Sequence, residues 1–303
     1  MKISGFTFIR NGIKLTYPFV ESICSILPVC DEMIVVVGKS EDGTREAITN
    51  INSPKIVVID TEWDDSLRSG GKILAQQTDI AFKAITGDWG FYLQGDEVIH
   101  EQDLPAIVSA AEKYLDQPQV DGLLFSYYHF YGNYHYIAKP GTRGTYPYET
   151  RMVRRNPLIH SFRDAQGFRK HSDTATVPVR QLLSRRLRVK KVDAHIYHYG
   201  KVRGPLEELQ RSKEFHRLWH DDEWVSRHIA NQTAYEYHPD YPLVRFEQTH
   251  PHVMKERIQQ LDWDFRYDPA AVKIPIRHRI MNLLEEYTGF RPFDFRNYNV
   301  LRR

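Results

Sequence analysis

The chain has 303 residues, 41% of them hydrophobic and 26% charged, with a formal net charge of +2. It is long enough to bury a sizeable core, and its near-balanced charge excludes a molecule built throughout to hold nucleic acid. Cys24 and Cys30 match no zinc spacing and are too few for a disulfide scaffold. No stretch approaches the ~20 apolar residues of a membrane span, and no leader-like segment follows Met1-Lys2, so a cytoplasmic protein is expected.

Residues 3–9 read as a strand and Arg10-Asn11-Gly12 as a turn. Residues 16–27 place Phe19, Val20, Ile23, Ile26 and Leu27 at helical spacing. The unbroken apolar run of residues 33–37 is typical of a strand covered on both faces. A turn at 40–44, a short helix to about Ile51 and a strand at 56–59 follow. Gly70-Gly71 precedes a helix over 71–85, and residues 89–93 form a fourth strand. Strand and helix alternating every ~20–30 residues predicts a parallel, helix-covered sheet. Further helices are expected over 104–115, over 205–230 and near 278–287, a strand over 149–155, and a β-hairpin over 122–138 turning at Gly132-Asn133.

The stretch Phe91-Tyr92-Leu93-Gln94-Gly95-Asp96-Glu97-Val98 ends an apolar run in two adjacent carboxylates. Open α/β folds bind ligands at the edge where such strands end. Two carboxylates there repel each other unless something positive sits between them, and a divalent cation holding a phosphate is the usual solution. The plainer alternative is a strand followed by a polar turn.

Taken in order, these pieces resemble the family 2 glycosyltransferases, which have the GT-A fold. Phe8-Ile9-Arg10-Asn11 and Val20-Glu21-Ser22-Ile23 are similar to the family's opening, and residues 31–37 to its Asp-Glu strand. Ser40-Glu41-Asp42-Gly43-Thr44 looks like its nucleotide-site loop, and Gln94-Gly95-Asp96-Glu97 stands where it has an Asp-x-Asp-Glu metal motif. The resemblance covers residues 1–100 well and 120–203 loosely. It implies an α/β, mixed and mostly parallel sheet flanked by helices, with residues 1–204 as the GT-A domain (1–120 the nucleotide-sugar half, 121–204 the acceptor half) and 205–303 as a helical and irregular extension. Val37 and Gly38 occupy the place of a nucleobase-contacting aspartate, and Gln94 replaces the first metal-motif aspartate, leaving a weaker ligand for a hard cation.

The implied reaction moves a sugar from a nucleotide-diphosphate donor to a saccharide or lipid-linked acceptor, with inversion. Mn2+ or Mg2+ or clustered Lys/Arg must absorb the charge on the departing diphosphate. Asp96 and His198 are the expected metal ligands. Arg10, Asn11, Asp42, Arg68, Gly71, Lys72, Gln94, Gly95, Lys201 and Arg203 are the expected donor-site residues. Asp42 also reads as the cap of an Asp-Gly turn, and a glycine pair before a helix lets backbone N–H groups approach an anion. The base that deprotonates the acceptor is assigned to Asp164, with Glu149 second; a salt bridge from Asp164 to Arg163 or Arg169 is the alternative.

The run Arg185-Arg186-Leu187-Arg188-Val189-Lys190-Lys191 reads as a solvated face or as a contact for anionic lipid at the inner face of a membrane. No nucleic-acid motif accompanies it. The aromatic hairpin from Tyr127 to Tyr136 is either an acceptor-sugar platform or core. Two rival readings stand beside catalysis: a GT-A scaffold that binds a glycan or partner without turnover, and a nucleotidyltransferase, which usually carries a Gly-rich loop that Arg10-Asn11-Gly12 does not match.

Overall fold

The computed structural model describes residues 1–64, 67, 69–172, 184–229, 232–238, 241–288, 291 and 295–301. Strands β1 (Ile3–Ile9), β2 (Glu32–Gly38), β3 (Ile56–Thr61) and β4 (Trp89–Tyr92) lie parallel in the order β3-β2-β1-β4. Helices α1 (Phe19–Ile26), α2 (Thr44–Thr49) and α3 (Lys72–Ala84) connect them. All five residues from Met33 to Val37 are buried. Met33, Val35 and Val37 pack with Phe19, Ile23 and Ile26 of α1, whereas Ile34 and Val36 face Ile73, Leu74 and Phe82 of α3. At about 1.5–3 kcal/mol per buried side chain, this strand alone anchors both layers. The chain leaves β1 to one side for β2 and β3 and to the other for β4, which makes the carboxyl edge between β1 and β4 the switch point where open α/β sheets bind ligands.

Beyond β4 the sheet is mixed. After the short β5 (Glu97–Ile99) and α4 (Leu104–Lys113), β6 (Gly122–Tyr131) runs antiparallel to β8 (Tyr148–Arg154), which in turn lies antiparallel to β4. The expected hairpin is present in reduced form: β6 meets β7 (Tyr136–Ala138) only at Phe130 and Ile137. Phe130 and Tyr134 are core residues there, packed with Tyr197, Tyr199 and Met254. Antiparallel β9 (Ile159–Phe162) and β10 (Gly167–His171) follow, and β10 borders β11 (Ser184–Lys201), which runs parallel beside β6.

The expected helix over 205–230 is two helices, α5 (Pro205–His216) and α6 (Asp222–His228). The Asp221 side chain accepts the Trp224 N–H at 2.8 Å and starts the second as an N-cap. The basic run lies in β11, where Arg185 and Arg188, joined by Lys170, converge on Asp121, which is 1% exposed. That part of the run is an ion-pair cluster rather than a free cationic face. The remaining elements are β12 (Leu243–Arg245), α7 (Lys255–Gln259), α8 (Ile276–Thr288) and β13 (Tyr298–Val300), which pairs with β11. Both cysteines are free thiols, and no helix among the described residues is long and apolar enough to cross a membrane.

Candidate active site

A cleft of about 820 Å³ opens at the carboxyl edge of β1 and β4. Asp96, His198 and Asp164 all line it, together with Arg10, Asn11, Gln94, Gly95 and Lys201. Three chain segments distant in sequence therefore meet there: the turn after β4, the end of β11 and the β9–β10 turn.

The two halves of the acidic pair separate. Glu97 is wholly buried, its carboxylate gripped by Arg151 through Nε–H and Nη2–H bonds of 2.7 Å each. It also accepts the Tyr127 hydroxyl and the Gln94 backbone N–H. All of its acceptor capacity is used inside the fold, so Glu97 orients the turn and Asp96 alone faces the cleft. Burial works against the charged form of Asp96, but His198, Arg203 and Arg211 outweigh it and hold its carboxyl at about 2.

His198 is oriented by a second histidine. His129 Nε2 lies 2.8 Å from the Tyr146 carbonyl, which only an N–H can satisfy, so His129 Nδ1 is an acceptor. It sits 2.9 Å from His198 Nδ1, which must donate. His198 Nε2 is then the ring nitrogen that faces Asp96 Oδ2, at 3.6 Å. A proton or a metal ion placed between the two joins them. Gly200 keeps this corner open: a Cβ there would fall 2.6 Å from His198 Nε2 and 3.0 Å from Asp96 Oδ2. Its backbone is not left-handed, so only space forbids a side chain. Gly200→Ala is expected to abolish ligand binding at Asp96 while shifting the urea midpoint little; an unchanged donor affinity would show that the corner is not used.

Cations crowd the adjoining wall. Lys201, Arg203 and Arg211 all contact Glu208, which is wholly buried. Three cations share one carboxylate, and Arg203 Nη2 and Arg10 Nε are buried without a hydrogen-bond partner among the described residues. Such orphaned donors beside a cleft suit an anionic ligand. Arg211 lines the cleft but was not legible in sequence: its spacing from Glu208 reads only as an ordinary helical ion pair. His129 was legible only as part of the aromatic hairpin.

Asp164 projects from a turn whose flanking residues, Arg163 and Ala165, have φ of 59° and 64°. Left-handed backbone at two non-glycine positions is a strained way to aim one side chain. Among the described residues Asp164 forms no ion pair, and burial raises its pKa. Gln94 donates from Nε2 to the Ala165 carbonyl at 3.3 Å, so the residue replacing the first metal-motif aspartate fastens the Asp164 turn. Gly71, at φ 66°, lies against Asp164, where a Cβ would come within 2.7 Å of Asp164 Cβ, and its N–H is taken by the Leu218 carbonyl.

Other expected site residues lie elsewhere. Glu149 is buried off the cleft, bonded to the Thr150 N–H and Asn297, and burial lifts its pKa to about 7. Asp42 caps its turn, accepting from the Lys14 and Thr44 N–H groups and the Thr44 hydroxyl. Lys72 is exposed at the start of α3 and does not line the cleft. Arg203 sits behind the wall, with Nε on the Leu15 carbonyl and Nη1 on the Gly200 carbonyl. Arg68 is outside the described residues. Among the described residues no group of three or more His, Cys, Asp or Glu is placed to hold a metal ion.

Two buried histidines give a pH signature. Burial depresses His129 to about 3 and His250 to about 4, from 6.5. Below 6.5 the unfolded chain takes up protons that the folded chain refuses, so stability must fall as pH drops toward 4. Thermal melts are expected to move steadily down between pH 6.5 and 4; a flat profile would contradict the burial of neutral His129 and His250.

The chain is similar to S. aureus TarS 1-349 in complex with UDP-GlcNAc at 15% identity, covering 71% of this chain and 65% of that chain, with a TM-score of 0.40. It is similar to mannosyltransferase PcManGT from Pyrobaculum calidifontis, in complex with GDP-Man and Mn2+, at 20% identity, covering 43% of this chain and 36% of that chain, with a TM-score of 0.32. The chain spans 39% of a longer TarS structure. No curated protein matches it. The model of glycosyl transferase family 2 matches residues 7–174, a span holding Arg10, Asp96 and Asp164 but not His198 or Lys201. Because that match takes in more than half of the sequence, the chain belongs to glycosyl transferase family 2.

Proposed function

We propose that the chain transfers a glycosyl group from a nucleotide-diphosphate donor to a saccharide or lipid-linked acceptor, with inversion at the anomeric carbon. The observation that carries this reading is the meeting of Asp96, His198 and Asp164 in one cleft beside an excess of cations. TarS and PcManGT, whose structures hold UDP-GlcNAc and GDP-Man, are consistent with such a donor.

The residues present fit a divalent cation, Mn2+ or Mg2+. Asp96 offers an ionised carboxylate, His198 the ring nitrogen Nε2 that faces it, and the absent Cβ of Gly200 the room. Two protein ligands are few, but such cations commonly complete their shell with water and substrate phosphate. When bound, the ion would offset charge developing on the departing diphosphate. Lys201, Arg10 and Arg211 do the same from the chain itself. Asp164, with its raised pKa and no ion pair among the described residues, is suited to take the acceptor hydroxyl proton. Glu149 would need a route through the sheet to do so, since it does not border the cleft.

The test is release of nucleoside diphosphate from UDP-, GDP- and dTDP-linked sugars, with manganese and with chelator. One donor should turn over, with manganese required. If none is bound or cleaved under any condition, the chain is a scaffold that recognises a glycan or partner without turnover.

A further inference from the structure

Helix α8 is placed the wrong way round for a soluble protein. Its half-buried positions are His278, Met281, Asn282 and Glu285, whereas Ile276, Ile280, Leu283, Leu284 and Tyr287 point outward at 47% to 85% exposure. Spacings of four, three, one and three put these five on one stripe. They make up five of the eleven most exposed large apolar side chains among the described residues. The polar face is tied down, with Glu285 paired to Arg143 and Arg291. Surface helices normally bury the apolar stripe and solvate the polar face.

The charges around the stripe suggest what covers it. Arg277 and Arg279 are exposed on its two flanks, and Lys273 is exposed just ahead of the helix. Cations at a helix N-terminus oppose the macrodipole, so helix stability does not account for them. Beside the helix, a cavity of about 310 Å³ is lined by Lys139, Arg143, His238, Lys273 and His278, with no carboxylate among the described residues of its wall. Glu286 is the one exposed acid on the helix, near its other end. A second copy is a poorer occupant. Thirteen residues make a helix only about 20 Å long, and one such stripe covers far less than the ~800 Å² per partner of a stable interface.

We propose that α8 docks this protein on an anionic lipid surface, with the apolar stripe inserted at the headgroup boundary and Arg277, Arg279 and Lys273 among the headgroups. This places the membrane contact on α8 and not on the basic run of β11, where Arg185 and Arg188 are committed to Asp121.

Flotation of the full chain with vesicles of phosphatidylcholine, alone or with about a third phosphatidylglycerol, tests this. The wild type should float with the anionic vesicles only. Leu283→Ser/Leu284→Ser and Arg277→Gln/Arg279→Gln should each weaken partitioning on the order of tenfold or more, with unchanged circular dichroism. A wild type that stays at the bottom of the gradient, or variants that float as well as it does, would overturn the proposal. So would a wild-type dimer in gel filtration that the leucine variant converts to monomer, because the stripe would then belong to a second copy. Flotation needs neither donor nor acceptor, so its failure leaves the glycosyl-transfer reading standing.

Discussion

Asp96→Asn is expected to lower donor turnover by about 10²–10³-fold and to remove its response to manganese, with the fold intact. The substitution keeps shape and removes only charge. Asp96 is the one carboxylate of the acidic turn that faces the cleft, and at about 2 its pKa keeps it ionised at any working pH. Its backbone carbonyl, which accepts the Tyr199 N–H at 2.8 Å, is untouched, so the turn should hold. Circular dichroism and urea midpoints should match the wild type while the steady-state rate collapses. A variant that keeps both its rate and its metal response would mean that Asp96 holds neither the ion nor the diphosphate.

Arg151→Met should destabilise the protein by about 3–5 kcal/mol. Arg151 and Glu97 are both fully buried and share two bonds of 2.7 Å. Removing the guanidinium strands a carboxylate in the core, and also removes the bond from Arg151 Nη1 to the Gln166 carbonyl next to the Asp164 turn. The double variant Glu97→Gln/Arg151→Met should recover part of the loss, because no charge is then left unpaired. Equilibrium unfolding in urea measures both. A single variant as stable as wild type would show that Glu97 is solvated or protonated, against the bonding described above.

The parallel half of the sheet was legible because its strands are short apolar-rich runs closed by a glycine or polar turn; Met33–Val37, buried on both faces, is the clearest case, whereas the edge strand β3 leaves Val57 46% exposed. Asp96 was legible for the same reason, since the end of a buried strand is where a carboxylate must have a use. What separates Asp96 from Glu97 was not legible, because the partner that consumes Glu97 lies 54 residues away. The basic run misled in the same manner: Asp121 is distant in sequence, and only the pairing of β6 with β11 brings it to Arg185 and Arg188. The break between α5 and α6 had a local signal, an Asp three residues before Trp224, that helical periodicity overrode. For α8 the helix itself was legible but the face it turns outward was not, because amphipathicity does not say which side meets the protein.

In the proposed reaction Asp96 and His198 together hold a cation whose shell a nucleoside diphosphate completes. The most direct test is calorimetric titration of manganese into the wild type, Asp96→Ala and His198→Ala, each with and without UDP and GDP. The account predicts weak manganese binding alone, tight binding once the matching diphosphate is present, and loss of that synergy in both variants. Diphosphate binding that is equally tight without manganese and survives both substitutions would contradict it, leaving the acidic turn a structural feature and the cationic wall the whole of the donor site.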